Sequence, residues 1–162
     1  MSEKNETGAK RRTTARLSAV QALYQIELTS APVEQVIEEF TSPDRPVPDG
    51  EVAEQAEIVR PAPKLFAEIV RGVSAKRGAL DNRIKAALSA EWRLERLEIL
   101  VRLILEAAIY ELVERDDIPP KVVMNEYLNV AHGFFAGSEP GFINGILNAI
   151  AKDKAAAKTA ET

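Results

Sequence analysis

LEILVRLILEAAIYELVE, residues 97–114, is the stretch that decides the fold of this chain. Drawn as an α-helix, it carries apolar side chains on most of its sides, with few charged positions between them. A helix of this kind must be enclosed by other helices or by a bilayer. A bilayer span needs about 18 consecutive apolar residues, and no such run occurs in the sequence. We therefore predict that this helix lies in the middle of a helical bundle.

The composition also favours an all-α fold. The chain has 162 residues, of which 46% are apolar, enough for one domain with a substantial core. Glycines number only 8 and aromatic residues make up 6%, while alanine, leucine, isoleucine, valine, glutamate and arginine dominate, as is typical of helical proteins. The absence of cysteine excludes disulfides, thiolate metal sites and cysteine nucleophiles.

Apolar residues that recur every three or four positions predict further helices on both sides of the central one. The predicted helices cover about 13–30, 32–40, 64–88, 97–114, 120–134 and 142–150, and a helical turn through 51–59 would make seven. The first begins at Thr13 or Thr14 and has an apolar stripe of Leu17, Val20, Tyr24 and Leu28. Gly72 and Gly78 weaken the third helix, so we expect a bend or a close helix crossing there.

Three segments fall outside this helical pattern. Residues 1–10 lack apolar periodicity and are predicted to form a disordered lead-in. Residues 41–63 contain five prolines and an Asp-Gly pair, and are predicted to form a flexible, acidic, proline-rich loop. Residues 153–162 are predicted to be a frayed C-terminal tail. The helical domain itself is expected to span 11–152.

Charge is unevenly distributed along the chain. The formal net charge is −4, yet residues 1–16 carry a net charge of +3 and the remaining residues −7. A basic arm on an acidic body is expected when one patch of the surface meets a polyanion. A solvated tail would have the same composition, so charge alone leaves both interpretations open.

Candidates for catalysis or metal binding are scarce. His132 is the only histidine, and no cysteine or suitably spaced acid accompanies it, so we predict a polar surface or helix-end role and no metal. Neither a glycine-rich phosphate loop nor a G-x-S-x-G motif is present. The acid pairs Glu38-Glu39 and Asp116-Asp117 fall at a predicted helix end and a turn, where we expect them to be solvated. The sequence predicts no enzyme activity and no cofactor.

The basic arm offers a different chemistry. Lys10, Arg11, Arg12 and Arg16 run into the first helix, with Thr13, Thr14 and Gln21 as neighbouring hydrogen-bonding groups. Guanidinium groups bind phosphates bidentately and stack on unpaired bases. Positive side chains near a helix N-terminus are mildly unfavourable, because the helix dipole is already positive there. The cluster therefore indicates a ligand that such groups can bind, with solubility as the alternative explanation.

Three blocks of the sequence match a known pattern: RRTTARLSAVQALYQIEL (11–28), LFAEIVRGVSAKRGALDNRI (65–84) and LILEAAIYELVERDDIPPKVVMNEYLNVAHGFFAGSEPGFINGIL (103–147). Together they resemble the bacterial transcription antitermination factor family NusB. Their most specific parts are VQALYQ, YEL followed by IPPKVVMNE, and GFINGIL, in that order and spacing. The resemblance implies an all-α fold in two packed helical subdomains.

The resemblance also implies partners. Such proteins bind boxA, a short single-stranded element of ribosomal RNA leader transcripts, together with NusE, a ribosomal small-subunit protein that doubles as a transcription factor. The pair acts in the transcribing RNA polymerase complex with other Nus factors and promotes read-through of terminators. Some members form homodimers, which leaves the oligomeric state of this chain open. The lack of a signal-peptide core predicts a cytoplasmic protein outside the membrane.

The family's functional positions can be carried over residue by residue. The resemblance implies RNA contacts at Lys10, Arg11, Arg12, Arg16, Gln21, Tyr24, Phe134 and Phe142, and Lys121 is a further candidate. Core packing is the alternative for the three aromatic residues, and we expect it for Tyr24 and Phe134. The NusE surface is expected on the helices of 97–134, where Arg102, Glu106 and Glu111 are the candidates predicted to be exposed.

Two other functions fit parts of the sequence. A NusB-like domain also occurs at the front of some RNA cytosine methyltransferases, but residues after 150 are too few for the cofactor-binding domain of such an enzyme. A helical adaptor that binds only protein would use the arm as a solubility tail. One departure bears on RNA affinity: Thr13 and Thr14 stand where the family often has further basic residues, which predicts fewer phosphate contacts.

Overall fold

The computed structural model describes residues 2–45 and 61–160 and is all-helical in that part. Its six α-helices are α1 (Ser2–Thr29), α2 (Val33–Thr41), α3 (Pro63–Ala87), α4 (Ile99–Glu114), α5 (Pro120–Phe134) and α6 (Glu139–Ala160), with a short 3-10 helix at Leu94–Arg96. The predicted all-α class and the number of helices are confirmed. Residues 46–60, most of the predicted acidic loop, lie outside the described residues.

The chain divides into two compact units, Met1–Arg71 and Gly72–Thr162. In the first unit α1 packs against α2, and the start of α3 completes the apolar core. Phe40 of α2 stacks on Phe66 of α3 at 5.6 Å between ring centroids, and the Arg45 guanidinium lies 3.5 Å from the Phe40 ring centroid. This aromatic contact joins the residues on either side of the 46–60 segment.

Helix α1 differs from its prediction in length and in its buried face. It begins at Ser2, eleven residues before Thr13, because extending an existing helix needs no new nucleus and the lead-in contains no proline. Its buried face is Ala15, Ala19, Val20, Ala22 and Leu23. Tyr24 and Leu28, placed in the stripe by periodicity, are 36% and 59% exposed. The small alanine side chains let α1 pack closely against its neighbours. A search for large apolar residues at helical spacing underestimates such a face.

The second unit is built around α4. Nearly every residue of α4 from Val101 to Leu112 is buried, and both α5 and α6 pack on this helix and on each other. Pro120 occupies the first turn of α5, where its missing N–H removes no helical hydrogen bond. The prediction of a central, enclosed helix over 97–114 is confirmed.

The middle of α3 contains the predicted bend and close crossing. The backbone leaves helical geometry at Lys76, with φ −113° and ψ 17°. A Cβ added at Gly72 would lie 2.2 Å from Cζ of Tyr110, so no side chain fits between α3 and α4 at that position. Gly78 has open space around it and makes no such contact. Only the first of the two glycines is therefore required by packing.

Helix α6 extends further than the sequence predicts. It continues to Ala160, into the predicted tail of 153–162. The Lys154 ammonium donates a hydrogen bond to the carbonyl oxygen of Leu112 and lies 2.8 Å from a carboxylate oxygen of Asp116. Both acceptors lie at the C-terminal end of α4, where exposed carbonyls and the helix dipole attract a cation. Periodicity cannot reveal this anchor, because a lysine in an alanine-rich segment also looks like solvated helix.

Candidate nucleic-acid interface

The basic arm is a helical surface. Lys10, Arg11 and Arg12 are exposed one after another on α1, and the guanidinium groups of Arg11 and Arg12 have no partner among the described residues. Successive side chains on an α-helix lie about 100° apart. The three cations therefore spread over roughly half of the circumference of α1. This arrangement suits a flexible ligand chain that wraps around α1 better than a ligand with one flat surface.

The threonine hydroxyls that follow the arm donate hydrogen bonds to the backbone of their own helix. The Thr13 hydroxyl donates to the carbonyl of Ala9 at 3.1 Å, and the Thr14 hydroxyl to that of Lys10 at 2.9 Å. Ala62, which precedes α3, donates its backbone N–H to the Arg11 carbonyl at 3.0 Å. The arm thus holds a fixed helical conformation, and its threonines bond to their own helix.

Arg16 is not part of the exposed arm. Its side chain is only 3% exposed, and it belongs to the same turn as the buried residues Ala15, Ala19 and Val20. Its burial contradicts the expectation that Arg16 lies in the exposed cluster with Lys10, Arg11 and Arg12. Arginine has a long apolar stem that can pack against a core, so its position relative to the buried face decides how much of it is exposed.

Gln21 and Tyr24 lie exposed further along α1. They are three residues apart and so share one side of the helix. The expectation that Tyr24 belongs to the core is wrong, since 36% of the residue is exposed. The first unit therefore carries Lys10, Arg11, Arg12, Gln21 and Tyr24 as accessible candidates on a single helix.

The remaining RNA candidates lie in the second unit and are separated along it. Lys121 is exposed in the first turn of α5 and Phe134 is half-buried in its last turn, about 20 Å apart at 1.5 Å per residue. Phe142, in the first turn of α6, is half-buried and packs against Trp92, with ring centroids 5.3 Å apart and ring planes tilted by 49°.

Trp92 is the residue that sequence reasoning missed. It lies in the break between α3 and α4 and is 50% exposed. Periodicity selects residues within helices and therefore passes over a break. The available signal was the presence of the only tryptophan of the chain in an otherwise polar segment.

The three residues expected on the NusE surface form a scaffold instead. Glu106 and Glu111 are completely buried, so their predicted exposure is wrong. Arg102 binds Asp81 at 2.6 Å and Glu106 at 3.3 Å. Glu111 accepts a 2.5 Å hydrogen bond from the Tyr127 hydroxyl. These contacts join α4 to α3 and α5, because a buried carboxylate must be paired and hydrogen-bonded.

Glu106 is the electrostatic centre of that scaffold. Burial raises the pKa of its carboxyl to about 7, although Arg77 lies 3.1 Å away and Arg102 also faces it. Asp81 adds to the upward shift by repulsion. Desolvation outweighs the attraction of two guanidinium groups that are both partly exposed and therefore screened by water.

Other chemistry finds little support in the part of the chain that the structure describes. Within 2–45 and 61–160 no cluster of three histidine or carboxylate side chains has a metal-binding arrangement. His132 is exposed in the last turn of α5, as the sequence predicts. No helix in these ranges is long and apolar enough to cross a membrane.

Comparison with known proteins places these features in a family. The family model described as NusB matches residues 13–152. The transcription antitermination protein NusB of Caulobacter vibrioides is 45% identical over 144 residues, covering 88% of this chain and 93% of that protein. The protein of the same name from Sphingopyxis alaskensis is 44% identical, covering 90% and 95%.

Solved structures share the fold. The structure of T. maritima NusB superposes with a TM-score of 0.70 at 28% identity, covering 87% of this chain and 90% of that one. A structure of the antitermination factors NusB and NusE in complex with double-stranded RNA has a TM-score of 0.67 at 21% identity, covering 89% and 98%. At that identity the second likeness concerns the fold.

Proposed function

Because this chain belongs to the NusB family, we propose that it is a transcription antitermination factor that binds boxA-type single-stranded RNA together with NusE. The RNA is that of ribosomal RNA operon transcripts, and the outcome is read-through by RNA polymerase in a cytoplasmic complex with other Nus factors. The relatives at 44–45% identity carry the name transcription antitermination protein. That name describes an effect on transcription, and we propose no catalysed reaction.

The observation that carries the RNA proposal is the exposed run Lys10, Arg11 and Arg12 on α1. A protein that neutralises phosphates releases counterions, and its affinity for a single strand falls with salt by a slope of about 0.7 per phosphate contact. Three accessible cations can supply a slope of about 2, which is modest. We therefore expect tight binding to need a second protein surface, and NusE, which a structurally similar protein binds, is the proposed source.

A titration tests the RNA proposal. Labelled boxA RNA is titrated with the protein alone and with NusE, at several salt concentrations, next to a scrambled strand and a boxA duplex. We expect preference for the boxA strand and tighter binding with NusE. Arg11→Ala combined with Arg12→Ala should weaken binding and lower the salt slope by about 1.4, because two phosphate contacts are lost.

Two controls accompany this titration. Arg83→Ala removes an exposed arginine of α3 that has no partner among the described residues, and it should leave the slope unchanged. Size exclusion of the chain mixed with NusE should give a heterodimer peak, and of the chain alone a monomer or homodimer. If the arm variant binds boxA as tightly as the parent protein at every salt concentration, the arm is a solubility segment.

A further inference from the structure

We propose that Trp92 is a stacking site for one unpaired base of single-stranded RNA. This inference rests on the proposed function, because it assigns a further contact to the same RNA ligand. It names a residue of the break between α3 and α4, in the second unit, and is independent of the arm on α1.

The backbone on both sides of Trp92 holds the indole in place. The Trp92 N–H donates to the Ser89 carbonyl at 3.0 Å and closes a turn. Two residues further on, Leu94 is buried and begins the 3-10 helix Leu94–Arg96. The exposed ring is therefore attached to an anchored segment and loses little conformational freedom when a ligand binds.

The contact with Phe142 restricts the indole further. The ring centroids lie 5.3 Å apart at a tilt of 49°, within the range that aromatic pairs prefer. Even so, 50% of Trp92 stays exposed. An aromatic ring that is oriented by one neighbour and open elsewhere has the form of a stacking platform, since every base presents a flat π-face.

Charges around the ring are nearly balanced. Arg93 and Arg96 are exposed and have no partner among the described residues, while Glu91, Glu95 and Glu98 are exposed in the same segment. Electrostatic attraction of phosphate is therefore weak at this site. Stacking on the indole must supply most of what the site contributes to RNA affinity. That contribution should be insensitive to salt, unlike the contribution of the arm.

A base fits this surface better than a protein does. Protein interfaces have an apolar core formed by several residues, ringed by polar ones. Between residues 88 and 100, Trp92 is the one exposed aromatic residue and Ile99 is the only other large hydrophobic residue that the structure exposes, because Leu94 is buried and Leu88, Leu97 and Leu100 are half-buried. A ring that packs on a single half-buried aromatic neighbour, with Arg93 and Arg96 exposed in the same segment, matches one splayed nucleotide, because guanidinium groups also stack on bases.

The chain's own fluorescence tests the inference, because Trp92 is its only tryptophan. We expect boxA RNA to quench the emission of the parent protein, both alone and in the complex with NusE, after correction for NusE emission. Trp92→Ala should weaken RNA binding roughly tenfold and leave the salt slope unchanged. Trp92→Phe, which keeps a smaller stacking surface, should lose less than half of that effect in free energy. Circular dichroism of both variants checks that they fold.

The alternative outcomes are separable. RNA binding that depends on the arm but neither quenches Trp92 nor weakens in either variant overturns the stacking site and leaves the proposed function intact. Emission that responds to NusE alone and not to RNA overturns it in favour of protein docking. If boxA RNA binds neither the chain nor its mixture with NusE, the proposed function fails, and the stacking site fails with it.

Discussion

The basic residues of α1 and those of the second unit have similar side chains in opposite surroundings. Arg11 and Arg12 extend from α1 without partners among the described residues. Arg77 and Arg102 face the fully buried Glu106, and Arg102 also binds Asp81. The first pair is available to a ligand, whereas the second pair holds α3 against α4. A basic residue is thus a candidate for ligand binding only when it forms no ion pair with an acidic residue of the same protein.

Part of this difference is visible in the sequence. Arg102 has Glu106 four residues later, a spacing that places both side chains on one helix face. Arg11 and Arg12 have no acid three or four residues away in either direction. The local pattern therefore marks Arg102 as a paired residue, although Arg16, which also has no acid at these spacings, is buried.

The largest effect is expected when the scaffold loses an arginine. Arg102→Ala leaves Asp81 without its 2.6 Å partner and leaves the buried Glu106 with Arg77 alone. Removing one member of a buried ion pair is strongly destabilising, and we expect a loss of about 3 kcal/mol in the free energy of unfolding. Urea denaturation followed by circular dichroism measures it.

Arg83→Ala serves as the matched control for that measurement. Arg83 lies on the same α3 as Asp81 but is exposed, so its removal should change stability by less than about 0.5 kcal/mol. Equal midpoints for the two variants would mean that the buried network contributes nothing to stability and that Arg102 is a surface residue in solution.

The next effect concerns pH and Glu106. Its pKa is raised to about 7 in the folded state, above the ordinary value of 4.5. Between these values the folded protein holds a proton that the unfolded chain has released, so the contribution of Glu106 to the free energy of unfolding is largest below pH 4.5 and falls as pH rises through about 7. The expected fall is roughly 3 kcal/mol, since the pKa rises from 4.5 to about 7 on folding and one pKa unit corresponds to about 1.4 kcal/mol.

Glu106→Gln isolates this contribution because glutamine cannot ionise. Denaturation at pH 5 and pH 8 should show a smaller change in stability for the variant than for the parent protein. The carboxyls of Glu34 and Asp117, whose pKa values are lowered by Arg71 and Arg115, act in the acid range below 4.5 and do not interfere. Parallel pH profiles for parent and variant would show that Glu106 stays ionised when folded.

The helices can be predicted from the sequence because apolar periodicity is a property of each helix by itself. The stretch 97–114 predicts an enclosed helix, and α4 is buried on nearly all sides. Gly72 predicts a close crossing, and the Tyr110 ring fills the space where its Cβ would lie. Errors arose where a neighbour decides the outcome: the alanine-lined face of α1 and the Lys154 anchor of α6 both depend on which helix lies opposite.

The candidate interface was less predictable for the same reason. Arg16 has no acid three or four residues away, just like Arg11 and Arg12, so the sequence groups it with them although it is buried. Glu106 and Glu111 were expected in solvent, since a buried acid requires a partner from another helix, and no local pattern names that partner. The ordered position of the Trp92 ring depends on its contact with Phe142, which is 50 residues away in the sequence and which no local pattern predicts.

The smallest effect on folding is expected on α1, where two arginines four residues apart differ only in burial. Arg12→Ala removes an exposed side chain and places a better helix former in α1, so the free energy of unfolding should change by less than about 0.5 kcal/mol. Arg16→Ala removes a side chain that is 3% exposed, and the loss of its packed stem and buried polar contacts should cost about 1–2 kcal/mol.

In RNA titrations at a temperature where both variants are folded, the order should reverse: Arg12→Ala lowers the salt slope, and Arg16→Ala leaves it unchanged because no phosphate reaches a buried guanidinium. An Arg16→Ala protein that folds normally yet loses the larger part of the salt slope would show that Arg16 swings out to meet the RNA, and the division between scaffold and ligand-binding arginines would then be conformational.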